Sequence, residues 1–277
     1  MRISRRRIIL SVLGITICVP FSINRARADN QSADLRRKLA AIGLAETPPL
    51  SVVDPASAFN GGLRYDESQV PVPPASFVIQ PCARVDDIGE AGRIGILPLF
   101  HIVRVDWPEG TSIGEGTAST LTFLIRDLGL DPNRLAIVST SAVQDYAAQM
   151  QAAGIEQSNV VIRPVEEAKA AGNGSGFFRH PQDPKIEFPT AGLYYWTGNA
   201  EPAAVSAYPL PEGWLEIGEI NLSSQFPLGA GFGLERLQST LGDPMPDWES
   251  GKRALLDMID RDFGGDPPPG RALFADS

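Results

Sequence analysis

Apolar positions along the chain alternate between helical and strand spacing. Leu35, Leu39 and Ile42 fall three or four residues apart, which predicts a helix capped by Asp34 and stopped at Gly43. A short strand is expected at Ser51-Val52-Val53. Phe77 to Ala83 and the longer Ile94 to Val105 predict two strands, joined through the acidic, turn-like Asp86 to Gly92 as an antiparallel hairpin. Leu121, Leu124, Ile125 and Leu128 predict a helix over Ser119 to Leu128, ending at Gly129. Strands follow at Leu135 to Ser139 and Val160 to Pro164, with a helix from Val143 to Ala153 between them, stopped by Gly154. Lys169 to Pro184, glycine-rich and polar, reads as a surface loop. Three more strands are expected at Gly192 to Thr197, Trp214 to Asn221 and Gly229 to Gly233. Two helices complete the pattern, Leu234 to Leu241 and Gly251 to Asp262. The tail from Phe263 on, with Pro267-Pro268-Pro269, reads as disordered. Strands that mostly follow one another, with helices inserted between hairpins, predict an α+β fold: an antiparallel β-sheet flanked by helices.

The first residues do not belong to this pattern. Ser4-Arg5-Arg6-Arg7 is a twin-arginine signature, followed by 14 apolar or uncharged residues, Ile8 to Phe21, and an A-x-A-like cleavage site at Ala26-Arg27-Ala28. That run is short of the roughly 18 residues needed to span a bilayer. Residues 1–28 are therefore expected to be a signal peptide read by the twin-arginine export machinery, with residues 29–262 as one domain and 263–277 as the tail. The expected destination is periplasmic or extracellular, or membrane-anchored if the signal is retained. The leader holds six arginines and no acid, so its removal lowers the formal net charge from −9 to −15. Such acidity argues against a broad nucleic-acid surface. Cys82 becomes the one cysteine of the mature chain, which excludes an intramolecular disulfide or a cysteine metal site. No metal site is expected from the protein's own side chains.

Candidate chemistry gathers in four stretches. Gln80-Pro81-Cys82-Ala83-Arg84-Val85-Asp86-Asp87-Ile88 ends a strand in an arginine. Gly129-Leu130-Asp131-Pro132-Asn133-Arg134-Leu135 leads into another strand. Leu215-Glu216-Ile217-Gly218-Glu219-Ile220-Asn221-Leu222 carries three polar side chains. Gly231-Phe232-Gly233-Leu234-Glu235-Arg236-Leu237 joins a glycine strand to a helix whose first turn bears an arginine. Glycine permits close backbone approach, and arginine offers a forked donor suited to phosphate. In this order the four stretches resemble the catalytic domain of class II aminoacyl-tRNA synthetases, and within that class they are most similar to alanyl-tRNA synthetase. The likeness extends thinly from about Leu35 to Leu241.

The resemblance implies that Arg84 holds the α-phosphate and Arg236 the γ-phosphate of ATP, with magnesium as its counter-ion. Gly231 and Gly233 would let the adenosine lie on the sheet, and Arg93 is the basic candidate in the connecting loop. Glu216, Glu219 and Asn221 would form the amino-acid pocket. Adenylate formation is chiefly positioning and neutralisation of phosphate charge, which such residues supply. If active, the chain would be an ATP-dependent adenylate-forming ligase. It departs from the family where aliphatic residues fill Arg93 to Ile102, and where Gly229 replaces the aspartate that opens the last motif. His101 is displaced from the family's pattern and reads as structural or exposed. Glu219 and Asn221 share a strand face. Glu216 points the other way unless a bulge intervenes near Gly218. Either glutamate substitutes for the lost carboxylate, or it pairs with a lysine or arginine. Tyr194 and Trp196 share a face as core, or as a ring-stacking wall. The family's tRNA-binding and editing parts are missing from this stretch, so tRNA is not expected as a partner of this chain alone. Two functions remain open: a repurposed ligase acting on ATP and a small amino or carboxylic acid, and an exported, non-catalytic protein that binds a small molecule or a partner.

Overall fold

This computed structural model describes residues 32–53, 59, 75–140, 147–172, 174–179, 185–223, 228–264, 268 and 270–277. The leader, the first residues expected in the Val143 helix, His180 and part of the proline run lie outside that set. Helix α1 covers residues 32–41, with Leu35 and Leu39 buried. It is already running at Ser32, so Asp34 is not its cap and pairs instead with Arg37 and Lys38. Gly43 does close it: its φ is +90° and the following Leu44 amide returns to the Leu39 carbonyl at 3.2 Å.

Among the described residues, nine strands form one sheet. They are β1 (Ala45–Glu46), β2 (Ser76–Cys82), β3 (Phe100–Asp106), β4 (Leu135–Thr140), β5 (Val160–Arg163), β6 (Phe177–Arg179), β7 (Glu187–Trp196), β8 (Trp214–Asn221) and β9 (Gly229–Gly233). The spatial order is β1-β2-β3-β9-β8-β7-β4-β5, with β6 beside β7. The chain is α+β, as the strand pattern implies. The sheet is mixed, since β1–β2 and β4–β5 pair in parallel while the other pairs are antiparallel. Helices α2 (Ile113–Thr122), extended by a π-helical turn (Phe123–Asp127), and α3 (Ala147–Ala152) join α1 over one face. There Leu39, Leu121, Leu124 and Met150 pack against Val103, Val105, Ile217 and Phe232 of the sheet. The remaining helices are α4 (Val165–Ala171), α5 (Leu234–Thr240), α6 (Trp248–Phe263) and α7 (Arg271–Ala275).

Several elements differ from their sequence reading. No strand forms at Ser51-Val52-Val53; Val52 is buried among side chains of α6 and α7. The long strand expected from Ile94 starts only at Phe100. Gly95 turns the chain with φ +83°, and Leu97 and Leu99 are apolar because they pack around α6. The connection before it is a 3-10 helix, Val85–Glu90, rather than a plain turn. Helix α2 begins six residues earlier than its leucines suggest, at a capping box in which Ser112 and Glu115 bond each other's backbone amides. Ser112 also sits in Gly110-Thr111-Ser112-Ile113-Gly114, a nucleophile-elbow spacing, but its hydroxyl is occupied as that cap. The stretch expected as a surface loop holds the end of α4 and all of β6, and Gly174, Ser175 and Gly176 are buried. The tail is not disordered as described: Phe274 of α7 is fully buried, edge-on to Phe59 at 5.3 Å. Burial of one aromatic ring against α6 outweighs the disorder signal of a proline-rich composition.

Candidate functional site

The face of the sheet opposite α1–α3 bears a cleft of about 230 Å³ over β3, β9 and β8. Alternation on β3 creates it. Val103 and Val105 point into the core, so Ile102, Arg104 and Asp106 point into the cleft. On β9 the same alternation sends Ala230 and Phe232 to the core and leaves Gly229, Gly231 and Gly233 as floor. These glycines are not equivalent. A Cβ on Gly231 would meet only Ile102, at 4.0 Å, whereas one on Gly229 would collide with the Val105 carbonyl oxygen. The strand pairing sets the cleft's long axis. Phe100, Gly233 and Glu216 mark one end; Arg104, Gly231 and Glu219 stand side by side in the middle; Asp106, Gly229 and Asn221 mark the other end.

A β-bulge assembles the acidic wall. Opposite β7, the register skips from Gly218 to Glu216 between Leu193 and Tyr194, leaving Ile217 as the extra residue, fully buried in the core. Glu216 and Glu219, three apart, thereby face the same cavity. Gly218 has to lack a side chain here, because a Cβ would strike the Gly231 carbonyl oxygen. The Glu219 carboxylate accepts from the Gly174 amide at 2.8 Å and from the Thr190 hydroxyl at 3.0 Å. Burial first, and the neighbouring Glu216 charge second, still raise its pKa from 4.5 to about 8. By area Glu219 is only half-buried, since its outer surface borders the cleft itself.

Arginines stand at the first end. Arg236 donates to the Gly95 carbonyl at 3.2 Å and to the Glu216 carboxylate at 3.1 Å. Arg84 lies over the Phe100 ring, 4.8 Å from its centroid, and borders the same cleft. Beneath them His101 bonds the Glu235 carboxylate through Nδ1 at 2.7 Å, and its amide bonds the other carboxylate oxygen at 3.0 Å. Cys82 is fully buried next to this pair, its thiol pushed up to about 12 by desolvation.

Of the residues singled out in sequence, Arg84, Glu216, Glu219, Asn221, Gly231, Gly233 and Arg236 all border this cleft. Arg93 does not: it lies on the exposed turn and pairs with Glu90. Its neighbour Gly95 reaches the cleft instead. Glu216 takes the ion-paired role foreseen for one of the glutamates, and His101 takes the structural one. Tyr194 and Trp196 pack as core with Trp214, and the Tyr194 hydroxyl donates to the Gly174 carbonyl. Among the described residues, no three His, Cys, Asp or Glu side chains group as metal ligands.

The sequence reading passed over Arg104 and Asp106. Arg104 donates from Nε at 3.0 Å and Nη2 at 2.7 Å to Oδ1 of Asp106, and both are almost fully buried in the cleft wall. Burial raises the Asp106 pKa, and the Arg104 charge offsets part of that. Two opposite charges two residues apart within the apolar run of β3 were the available signal. Thr190 was missed because its role depends on β7 lying next to Asn221 and Glu219.

No protein-family model matches the chain, and no curated protein matches it. Among solved structures it is similar to apo histidyl-tRNA synthetase of S. aureus, with 12% identity and a TM-score of 0.43 over 90% of this chain and 79% of that chain. No helix among the described residues is long and apolar enough to cross a membrane.

Proposed function

We propose that the chain is a small-molecule-binding domain on a synthetase-like scaffold, and that its cleft takes a small acid bearing an amino group. The observation that carries this reading is the convergence of Glu216 and Glu219 on one cavity whose near end is edged by Arg84 and Arg236. Arg236 already pairs with Glu216, so Glu219 is the carboxylate whose desolvation and repulsion a ligand ammonium would offset. The arginines suit an acid group at the same end. A cavity of about 230 Å³ lies below the range of about 300–1,000 Å³ that holds drug-sized ligands, which favours a metabolite of amino-acid size. Calorimetric titration of residues 29–277 with amino acids and their des-amino analogues tests the reading. Binding should require the amine, and Glu219→Gln should weaken it about 10- to 100-fold, the worth of a charge-assisted hydrogen bond. Equal binding of the des-amino analogues, or no binding of any of these compounds, overturns it.

A second reading has its own support. Arg84 and Arg236 border one cleft, with Gly231 and Gly233 as bare floor between and beside them, an arrangement that accommodates ATP phosphates and a flat base. The fit is partial. Arg236 is already engaged by Glu216, and Arg93 stands away from the cleft. In this reading the protein is an adenylate-forming ligase, with magnesium accompanying the nucleotide, and the arginines hold the phosphates while the glutamates hold the acid's amine. ATP–pyrophosphate exchange dependent on an added amino acid, and abolished by Arg236→Ala, is the expected result. Absence of exchange across the panel sinks this reading while leaving the first intact. The proposal also extends to place: the twin-arginine leader directs the folded domain out of the cytoplasm. Replacing Arg5, Arg6 and Arg7 with lysine should retain the protein inside, as cell fractionation would show.

A further inference from the structure

The far end of the cleft contains a buried acceptor with nothing to accept. Asp106 is 2% exposed and borders the cavity. Its Oδ1 receives both hydrogen bonds from Arg104, while Oδ2 has no hydrogen-bond partner among the described residues. A buried carboxylate oxygen left unpaired carries its full desolvation penalty, so native structures rarely leave one without a reason. Asp106 itself borders the cleft at the end away from Glu216. Asp106 pairs across β3–β9 with Gly229, and Glu219 pairs across β8–β9 with Gly231, two residues along. Strand spacing of about 4.8 Å and a rise of about 3.4 Å per residue put the Asp106 and Glu219 backbones about 12 Å apart, on either side of β9. Between them lies the floor at Gly231, where a Cβ would meet only Ile102, an apolar flank, at 4.0 Å.

We infer that Asp106 is a specificity-determining acceptor, and that the cleft selects an amino acid whose side chain crosses Gly231 and ends in a second hydrogen-bond donor. This rests on the proposed amine site at Glu216 and Glu219 and adds the opposite end of the ligand. Arg104 positions the acceptor: it holds Oδ1 with both hydrogen bonds and leaves Oδ2 without a donor among the described residues. A purely aliphatic side chain would fill the same path and leave Oδ2 buried and unpaired, a penalty the site levies against the wrong ligand.

Titration of the mature chain with lysine, glutamine and norleucine is the test, norleucine being lysine without its terminal ammonium. At least one of the donor-bearing pair should bind 10-fold or more tightly than norleucine. That preference should fall to less than 3-fold in the double variant Arg104→Met, Asp106→Leu, which removes both charges together and so leaves neither buried alone. A thermal melt confirms that the variant folds; if it does not, the ratio measured on the unmodified protein decides. Norleucine binding as tightly as lysine and glutamine overturns this inference and leaves the proposed amine site standing. Failure of all three, together with the wider amino-acid panel, overturns both. A preference that survives the double variant assigns the selectivity to other residues and overturns the role of Asp106.

Discussion

The two faces of the central strands obey the same alternation and serve opposite ends. On one face Val103, Val105, Ile217, Ala230 and Phe232 close a core against α1–α3. On the other, one residue away in each strand, stand Arg104, Asp106, Glu216, Glu219 and three glycines. The core face is satisfied within the chain: its side chains find each other. The cleft face is left incomplete among the described residues, with a carboxylate oxygen unpaired at Asp106 and a floor at Gly231 where a Cβ would meet only Ile102. Stability thus resides in one face and, on the proposed reading, binding in the other, so substitutions on the two faces should separate.

The largest separation is expected at Phe232, which is 2% exposed within the core. Phe232→Ala should cost about 3–5 kcal/mol of stability by the cavity it leaves, read from urea denaturation. Next comes Gly229, where the family resembled in sequence carries an aspartate. Gly229→Asp should destabilise by about 1–3 kcal/mol, because its Cβ would collide with the Val105 carbonyl oxygen and force the backbone to move. A thermal melt unchanged from the parent would mean that the collision is relieved at no cost. Gly231→Ala should do the reverse. Its Cβ meets open space, so stability should rise by up to about 1 kcal/mol from reduced chain entropy, while ligand affinity falls because the floor is raised. Similar stability changes for the Gly229→Ala and Gly231→Ala variants would erase the distinction between the two positions.

A fourth expectation concerns direction with pH. The Glu219 pKa is raised from 4.5 to about 8 in the folded chain, so between those values the native state binds more protons than the unfolded one. Its contribution is therefore fully present below about pH 4.5 and is lost as pH rises through 8. Glu219→Gln should flatten that decline in denaturation curves taken across this window. A ligand ammonium at the site should lower the pKa and flatten it as well.

Local patterns were legible in the sequence wherever a segment carried its own reason for its shape. Trp214 to Asn221 and Gly229 to Gly233 were bounded correctly, since their alternation and flanking residues are complete within the segment. Gly43 and Gly154 marked helix ends because a positive φ is a local demand. The misreadings share one cause. Leu97 and Leu99 look like strand residues until α6 is seen against them. Phe274 looks like part of a loose tail until it meets Phe59. Lys169 to Pro184 looks like a loop because nothing in the stretch shows that Gly174 will lie over Gly192 and bond Glu219.

The site divides in the same way. Arg84, Gly231, Gly233 and Arg236 could be named through the resemblance of their stretches to a known family, and the carboxylates of β8 could be named as candidates. Their arrangement could not. One extra residue at Ile217 decides whether Glu216 faces Glu219, and that depends on the pairing of β8 with β7. The Arg104–Asp106 pair became visible as part of a cleft only when β3 and β9 were placed side by side. Hydrophobic periodicity and backbone preference act between near neighbours, so the sequence alone determined the α+β character, most strand positions and the residue types available for chemistry. Burial, register and the pairing of distant charges depend on which strands come to lie together, and these the tertiary structure alone decided.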